Sequence, residues 1–299
     1  SARSGLAVTA MTCAIGSSIP APPSQSSAAS RFSSVSVVEK LFDHGRAYIF
    51  QNEDGRIIFA IPYETDFTLI GTTDHDHEGD PATAHCTDEE REYLLRAAAH
   101  YFKVPLTQDD IVWTYSGVRP LYDDDATSAT AATRDYVLSL GQTTPPLLNI
   151  FGGKITTYRR LSEEAVSKLS RFFPHCKNAW TAGAPLPGGK FAVDGVKAEV
   201  AKLQAVHPYL DDRWALRLIR AYGTDAAVML DDAKSTDDLG QHFGWNLYAR
   251  EVDWLIAHEF ARSADDILWR RSKIGLRLSN EQAAHLAHYV KDVVSRPGA

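Results

Sequence analysis

The chain has few cysteines, no excess of basic charge and no long apolar run, and each absence excludes a class of protein. Its 299 residues include three cysteines, Cys13, Cys86 and Cys176, which lie far apart without a CxxC pair. They favour a reducing compartment over a disulfide framework or a zinc site. The formal net charge of -7 argues against nucleic acid as the main partner, since neutralising phosphates requires a basic face. No apolar run approaches the ~18–20 residues that span a bilayer, so surface attachment is the membrane contact left open.

Two nucleotide-binding motifs are absent as well. No GxGxxG occurs in the chain, which excludes a complete dinucleotide-binding βαβ unit within it. The stretch LLNIFGGKITTYRRLSEEAV (147–166) is not a P-loop, because Leu148 and Ile155 stand where a Walker A motif needs Gly and Ser or Thr. The stretch still predicts a strand, a glycine turn and a helix start, which together present backbone amides to an anion.

The glycine turn leaves two interpretations open. Gly152 and Gly153 either permit a tight bend and nothing more, or let the backbone approach a ligand closely. In the second interpretation Lys154 supplies a point charge suited to phosphate, and Thr156 and Thr157 supply hydroxyl donors.

The stretch GTTDHDHEGD (71–80) suggests a metal site at first. It imitates the start of an EF-hand loop, but His85 stands where the bidentate glutamate should be. His75 and His77 alternate as on an extended segment, without a second pair at ligand spacing nearby. We therefore predict a solvated turn and no metal.

Composition divides the chain into three segments. Residues 1–38 are rich in Ser and Ala and poor in large apolar side chains, which predicts a mostly disordered tail. Segment 39–180 alternates β-rich runs with an amphipathic helix whose N-cap is Thr87, so we predict a mixed α+β domain. Beyond PLPGG, helical periodicity predicts an all-helical domain over 181–299. In the α+β domain, strands are expected at 47–50, 57–61, 67–70, 110–115, 135–140 and 147–151, and a second helix at 155–173.

Two arginines stand in turns suited to gripping an anion. Arg119 follows a predicted strand in YSGVRPLYDDD, and Arg134 lies in ATRDYVL. Each also has an acidic neighbour, Asp123 or Asp124 for Arg119 and Asp135 for Arg134. From the residues alone, surface ion pairs with these carboxylates are favoured over a binding role.

Seven stretches together resemble the FAD-dependent glycerol-3-phosphate dehydrogenases, and above all the bacterial respiratory form. They occur in the family's order, from about residue 41 to residue 286: LFDHGRAYIFQNEDGRIIFAIPYE, TLIGTTD, YSGVRPLYDDD, ATRDYVL, LLNIFGGKITTYRRL, WTAGAPLPGG and ADDILWRRSKIGLRL. The resemblance covers the C-terminal part of such an enzyme, without the flavin-binding glycine fingerprint of its N-terminal part.

The resemblance implies oxidation of sn-glycerol 3-phosphate to dihydroxyacetone phosphate, with FAD accepting the C2 hydride and electrons passing to a quinone. It implies an antiparallel substrate-binding sheet followed by a helical domain. It also implies a cytoplasmic enzyme attached to the inner face of the cytoplasmic membrane, and it leaves a homodimer open.

The resemblance further assigns roles to individual residues. Arg119, Lys154, Arg134 and Thr157 would hold the substrate. The residues next to the flavin would be Gly152, Gly153, Thr156, Thr72 and Thr73. At the position of a family histidine that is suited to be the general base, this chain has Val35. No catalytic residue can therefore be carried over, and we expect the isolated chain to be inactive and to retain no FAD.

Two alternatives stay open. A glycerol-3-phosphate oxidase would share the phosphate-binding residues and pass electrons to oxygen. A non-catalytic helical module would use the basic cluster around Trp269 to bind a lipid headgroup or a partner, although a solvated helix face is the favoured interpretation of that cluster. The cluster consists of Arg262, Arg270, Arg271, Lys273 and Arg277.

Overall fold

The computed structural model divides the chain into two compact units, Ser1–Ala182 and Gly183–Ala299. The division falls two residues beyond the predicted boundary at residue 180. The structure describes residues 7–10, 30–73, 75–77, 80, 83–103, 105–120, 135–141, 146–173 and 175–296, without the side chains of 7–10, 30–32, 75–77, 119 and 120.

The first unit contains an antiparallel sheet of six strands in its described residues. These are β2 (Ser30–Glu39), β3 (Tyr48–Gln51), β4 (Ile57–Tyr63), β5 (Phe67–Gly71), β6 (His75–His77) and β7 (Ile111–Pro120). β2 is central and pairs with β5, β6 and β7, while β4 and β3 extend the sheet beyond β5. The register places Val35 opposite both Gly71 of β5 and Tyr115 of β7.

One face of this sheet is covered by helix α1 (Asp88–Ala99). Alternate side chains of the strands, among them Val38, Ile58 and Ile70, pack against Leu94 and its neighbours on the helix, as the period-2 pattern requires. The predicted N-cap is confirmed, because the Thr87 side chain accepts from the Glu90 backbone N–H in a complete capping box.

A second, three-stranded sheet contains the glycine turn. Its central strand β9 (Leu147–Gly152) pairs with β1 (Ala7–Ala10) in parallel and with β8 (Tyr136–Leu140) in antiparallel orientation. The helix predicted over 155–173 is α2 (Tyr158–Leu169), flanked by two short 3₁₀ helices, Ile155–Thr157 and Ser170–Phe172.

The structure differs from the predicted disordered tail over residues 30–38, which form most of the central strand β2. Ser34, Ser36, Val37 and Val38 are fully buried there. Serine lowers the apolar content on which the disorder prediction rested. Its small side chain nevertheless fits a close sheet–helix interface, and the Ser34 hydroxyl finds polar partners inside it. The structure also differs from the solvated turn predicted over 71–80, because His75–His77 form strand β6, which pairs with β2.

Over residues 183–296, the regular structure of the second unit is helical apart from one short hairpin. Its α-helices are α3 (Val196–Val206), α4 (Asp212–Tyr222), α5 (Asp225–Leu230), α6 (Ala249–His258) and α7 (Asn280–Val294). The hairpin joins β10 (His242–Gly244) to β11 (Leu247–Tyr248). A π-helix occupies Asp266–Arg271, where the basic helix was expected. The predicted fold class, α+β with an antiparallel sheet followed by a helical domain, is confirmed.

The PLPGG stretch packs into the second unit. Gly188 and Gly223 both have positive φ angles, 69° and 57°, a conformation that favours glycine. A Cβ on Gly188 would overlap the Tyr222 carbonyl, and one on Gly223 would overlap the Gly188 carbonyl. The Thr224 amide donates to that Gly188 oxygen at 2.9 Å. The segment is therefore a fixed part of the helical unit.

The second unit also buries an ion pair. Arg217 of α4 donates to both carboxylate oxygens of Glu251 on α6, at 2.6 and 2.7 Å. The Tyr222 hydroxyl donates to the same carboxylate at 2.7 Å. Burial, followed by the charge of Glu251, raises the pKa of Tyr222 well above its usual value of 10.0. In the described part of the chain, no helix has the length and apolar character needed to cross a membrane.

Candidate functional site

The glycine turn ends β9 with two residues in the left-handed region, Gly152 at φ 64° and Gly153 at φ 91°. A Cβ on Gly153 would lie 3.1 Å from the Cβ of Tyr136 on β8. Glycine therefore permits both the turn and the close approach of the two strands. Because neither glycine has a side chain, the backbone here is open to close contact with a ligand.

Lys154 follows the turn with its side chain exposed. Its carbonyl accepts from the Thr157 amide at 2.9 Å and the Thr157 hydroxyl at 2.8 Å, which closes the first 3₁₀ turn. Thr156 is exposed beside it. Among the described residues, no ion pair is formed by the Lys154 ammonium. An exposed cation thus lies at a helical start whose N-cap side chain makes no capping hydrogen bond, an arrangement that favours an anion.

The two arginines are described less fully. Arg119 lies at the end of β7 opposite Arg31 of β2, and its side chain is outside the description. Arg134 lies outside the described residues. β7 and β9 contact each other, so the strand of Arg119 neighbours the strand that leads to Lys154.

The two threonines after β5 occupy different environments. Thr72 is half-buried, whereas Thr73 is only 1 % exposed. The Thr73 hydroxyl accepts from the Ser34 amide at 3.1 Å and donates to the Glu90 carboxylate. The Thr73 side chain is therefore bonded inside the protein, whereas the resemblance implied that it contacts the flavin.

Val35, at the family's histidine position, is buried on the sheet face opposite α1. A Cβ on Gly71 would lie 2.5 Å from its Cγ1 atom, so the two strands meet closely. Tyr115 lies beside Val35 in the register, and Tyr63 lies on the same face. Burial raises the pKa of both phenols above the usual value near 10.

The sequence interpretation overlooked these two tyrosines and Glu90. The period-2 alternation of β4 and β7 could have placed both tyrosines on one face. No local signal identifies Glu90 as buried, since it lies among acidic residues that read as the first turn of a helix.

The basic cluster of the second unit is largely engaged within the protein. Arg270 and Arg271 both pair with Asp266, at 3.2 and 3.4 Å. Arg271 also donates to the Glu259 carbonyl at 2.9 Å, which satisfies the end of α6. Of these two arginines, Arg270 is the more exposed, with 61 % of its side chain accessible. Within the described residues, no group of three metal-ligating side chains occurs.

Comparison with protein families assigns both units. A family described as "FAD dependent oxidoreductase" matches residues 12–159, and the "C-terminal domain of alpha-glycerophosphate oxidase" matches residues 179–296. Residues 12–159 therefore form a domain of the FAD-dependent oxidoreductase family, and residues 179–296 form a domain of the kind that follows it in alpha-glycerophosphate oxidase. These matches confirm the resemblance seen in the seven sequence stretches.

Curated relatives narrow the comparison within this family. A glycerol-3-phosphate dehydrogenase of Pseudomonas aeruginosa is 50% identical over 257 residues, which are 85% of this chain and 50% of the relative. The aerobic glycerol-3-phosphate dehydrogenase of Escherichia coli is 42% identical over 85% of this chain and 51% of its own length. A D-erythritol 1-phosphate dehydrogenase of Brucella abortus is 40% identical over 83% of this chain and 50% of the relative. The chain thus spans about half the length of the curated relatives it matches.

A solved structure agrees with the family assignment. The glycerol-3-phosphate dehydrogenase from Bacillus halodurans, complexed with FAD, superposes with a TM-score of 0.69 at 25% identity. The match covers 89% of this chain and 53% of that one.

The described residues fit part of an FAD site. The bare backbone at Gly152 and Gly153 and the helical start behind it suit a flat ring that gains negative charge. The glycine fingerprint for a dinucleotide pyrophosphate does not occur in the sequence. These residues are therefore suited to the ring end of FAD alone.

Proposed function

We propose that this chain supplies the substrate-binding sheet and the helical domain of a FAD-dependent dehydrogenase that oxidises sn-glycerol 3-phosphate to dihydroxyacetone phosphate. Similarity to the Pseudomonas aeruginosa and Escherichia coli enzymes supports the substrate, and the relative solved with FAD supports the cofactor. The observation that carries the proposal is the exposed Lys154 at the glycine turn, which follows a strand that contacts the strand of Arg119.

The substrate phosphate is assigned to Lys154 and Arg119. A dianionic phosphate is well bound by one planar guanidinium fork together with one compact ammonium group. Arg134 and Thr157 complete the proposed substrate pocket.

We place the reacting carbon of the substrate, C2, beside the part of the glycine turn that faces the flavin. When bound, FAD accepts the hydride from C2. Gly152 and Gly153 let the backbone approach the ring, Thr156 offers a hydroxyl donor beside it, and the helical start orients its N–H groups towards developing negative charge. Thr72 borders the site from β5. The Thr73 hydroxyl holds that strand end in place.

We further infer that electrons pass to a quinone at the inner face of the cytoplasmic membrane. The name of the aerobic Escherichia coli relative supports a respiratory acceptor. Arg262 and Arg270 are the exposed cations of the basic cluster that anionic headgroups would meet. The homodimer that the resemblance leaves open stays a prediction.

Two observations favour specific variants of this function. The match to a domain of α-glycerophosphate oxidase favours oxygen as the acceptor. The Brucella abortus relative favours D-erythritol 1-phosphate, a four-carbon substrate that also carries a phosphate. Anaerobic turnover with a quinone analogue tests the acceptor, and kcat/KM for the two sugar-alcohol phosphates tests the substrate.

The experiment uses a chimera in which this chain, from residue 30 onward, replaces the matching part of the Pseudomonas aeruginosa enzyme. Val35→His restores the histidine that the family places in β2. We expect the Val35→His chimera to oxidise glycerol 3-phosphate about 10²-fold or more faster than the unmodified chimera, because general-base catalysis contributes about that much. The chain alone, purified as a control, is expected to show no visible flavin absorbance. A flavin-loaded Val35→His chimera without glycerol 3-phosphate oxidation contradicts the proposal.

A further inference from the structure

We propose that Glu90 is a positioning residue, whose buried carboxylate fixes the three strands that border the candidate site. The inference rests on the proposed function for what those strands hold. The connection between these strands consists of hydrogen bonds to Glu90 on the sheet face that α1 covers.

Glu90 lies in the first turn of α1 and is 5% exposed. One carboxylate oxygen accepts from the Ser34 hydroxyl at 3.1 Å and from the Thr87 amide at 2.9 Å. The other accepts from the Thr73 hydroxyl. A single side chain thus joins the helix start to β2 and to the chain that leaves β5.

The network reaches β7 through Ser34, whose hydroxyl lies 2.9 Å from the Ser116 hydroxyl. Three of the connected residues are close in sequence to positions that border the proposed site. Ser34 precedes Val35, Thr73 follows Thr72, and Ser116 lies three residues before Arg119.

The link to Thr73 matters most because regular strand pairing has ended there. The β2–β5 ladder stops at the pair of Val35 with Gly71. Beyond that pair, the Thr73 amide donates to the Ser34 carbonyl at 3.2 Å, and the Thr73 hydroxyl accepts from the Ser34 amide at 3.1 Å. The same hydroxyl donates to the Glu90 carboxylate. Apolar packing tolerates small shifts, whereas hydrogen bonds to a buried carboxylate fix direction and distance. Glu90 therefore sets where Thr72 lies.

Amide hydrogen exchange on the full 299-residue chain tests the network without any activity. Thr73→Val removes the hydroxyl at nearly constant shape, and Thr73→Ser keeps it. We expect Thr73→Val and Glu90→Gln to speed exchange of the Ser34 and Thr73 amides about tenfold or more, since the opening there becomes easier. Thr73→Ser and the exposed control Glu89→Gln should exchange like the parent. If Thr73→Val does not fold, Glu90→Gln against Glu89→Gln carries the same comparison.

The positioning role is tested in the Val35→His chimera, with kcat expressed per bound flavin so that loss of folded protein does not register. Thr73→Val and Glu90→Gln should lower kcat about tenfold and leave KM for glycerol 3-phosphate within about twofold, because the phosphate is bound elsewhere. Unchanged exchange, an equal effect of Glu89→Gln, or an unchanged kcat per flavin each overturns the inference. A Val35→His chimera that binds flavin but is inactive refutes the proposed function. The exchange result then still shows whether the Glu90 hydrogen bonds hold the strands.

Discussion

The two units of this chain each bury a glutamate, and different kinds of donor bind its carboxylate in the two units. In the sheet unit, Glu90 is held by hydroxyls and a backbone amide. In the helical unit, Glu251 is held by the guanidinium of Arg217 and the phenol of Tyr222. The first arrangement joins strands at the edge of the candidate site. The second joins α4 to α6, and Arg217 also donates to the Asn246 carbonyl in the hairpin at 3.2 Å.

We infer from this difference that the Glu90 network mainly fixes the geometry of the site, whereas the Glu251 network mainly stabilises the second unit. Hydroxyl donors are short, so they fix the positions of strands that already lie close together. The Arg217–Glu251 pair spans 34 residues of sequence with two charges inside a helical core, where loss of one partner leaves the other charge uncompensated. We therefore expect changes at Glu251 to unfold the second unit, and changes at Glu90 to act mainly on the site.

The largest effect is predicted for Arg217→Met, which leaves Glu251 buried without its guanidinium partner. The free energy of unfolding of the second unit should fall by about 3–5 kcal/mol, the usual loss when a buried pair is broken. Urea denaturation of the full chain measures it, with Arg220→Met as an exposed control on the same helix. The double variant Arg217→Met/Glu251→Leu should recover most of the loss. A loss below 1 kcal/mol would show that the pair contributes little.

A smaller effect is predicted for pH. The folded unit raises the pKa of Tyr222, so its contribution is fully present below the unfolded pKa of 10.0. Above that pH the unfolded chain loses a proton that the folded chain keeps, and stability falls by up to ~1.4 kcal/mol per pH unit. Tyr222→Phe should flatten the stability curve between about pH 10 and pH 11. Equal slopes for the parent and Tyr222→Phe would contradict the assignment of the raised pKa.

Much of the fold could be predicted because its signals are local. The strands near residues 57–61 and 147–151, the cap at Thr87 and most helices of the second unit follow from alternation, turn residues and helical periodicity. Strand β2 could not be predicted, since its serines have no local reason to be buried. They are buried because β5, β7 and α1 enclose them from distant parts of the sequence.

The candidate site divides in the same way. The glycine turn and Lys154 are contiguous in sequence, so spacing excluded a P-loop and left a simpler anion site. The Glu90 network joins residues 56 and 17 positions apart, and a single sequence carries no signal for such pairs. Thr73 shows the consequence, since the family resemblance implied a flavin contact for it, whereas its hydroxyl is bonded in the interior.

The phosphate assignment is the central claim, and Lys154→Met in the Val35→His chimera tests it most directly. Removing one charged donor to phosphate loses about 1.5–3 kcal/mol, which raises KM for glycerol 3-phosphate about 10- to 100-fold. Bound flavin should stay at the parent level. Lys168→Met, an exposed lysine on α2, is the matched control and should leave KM unchanged. An unchanged KM in Lys154→Met, or an equal rise in Lys168→Met, would contradict the account.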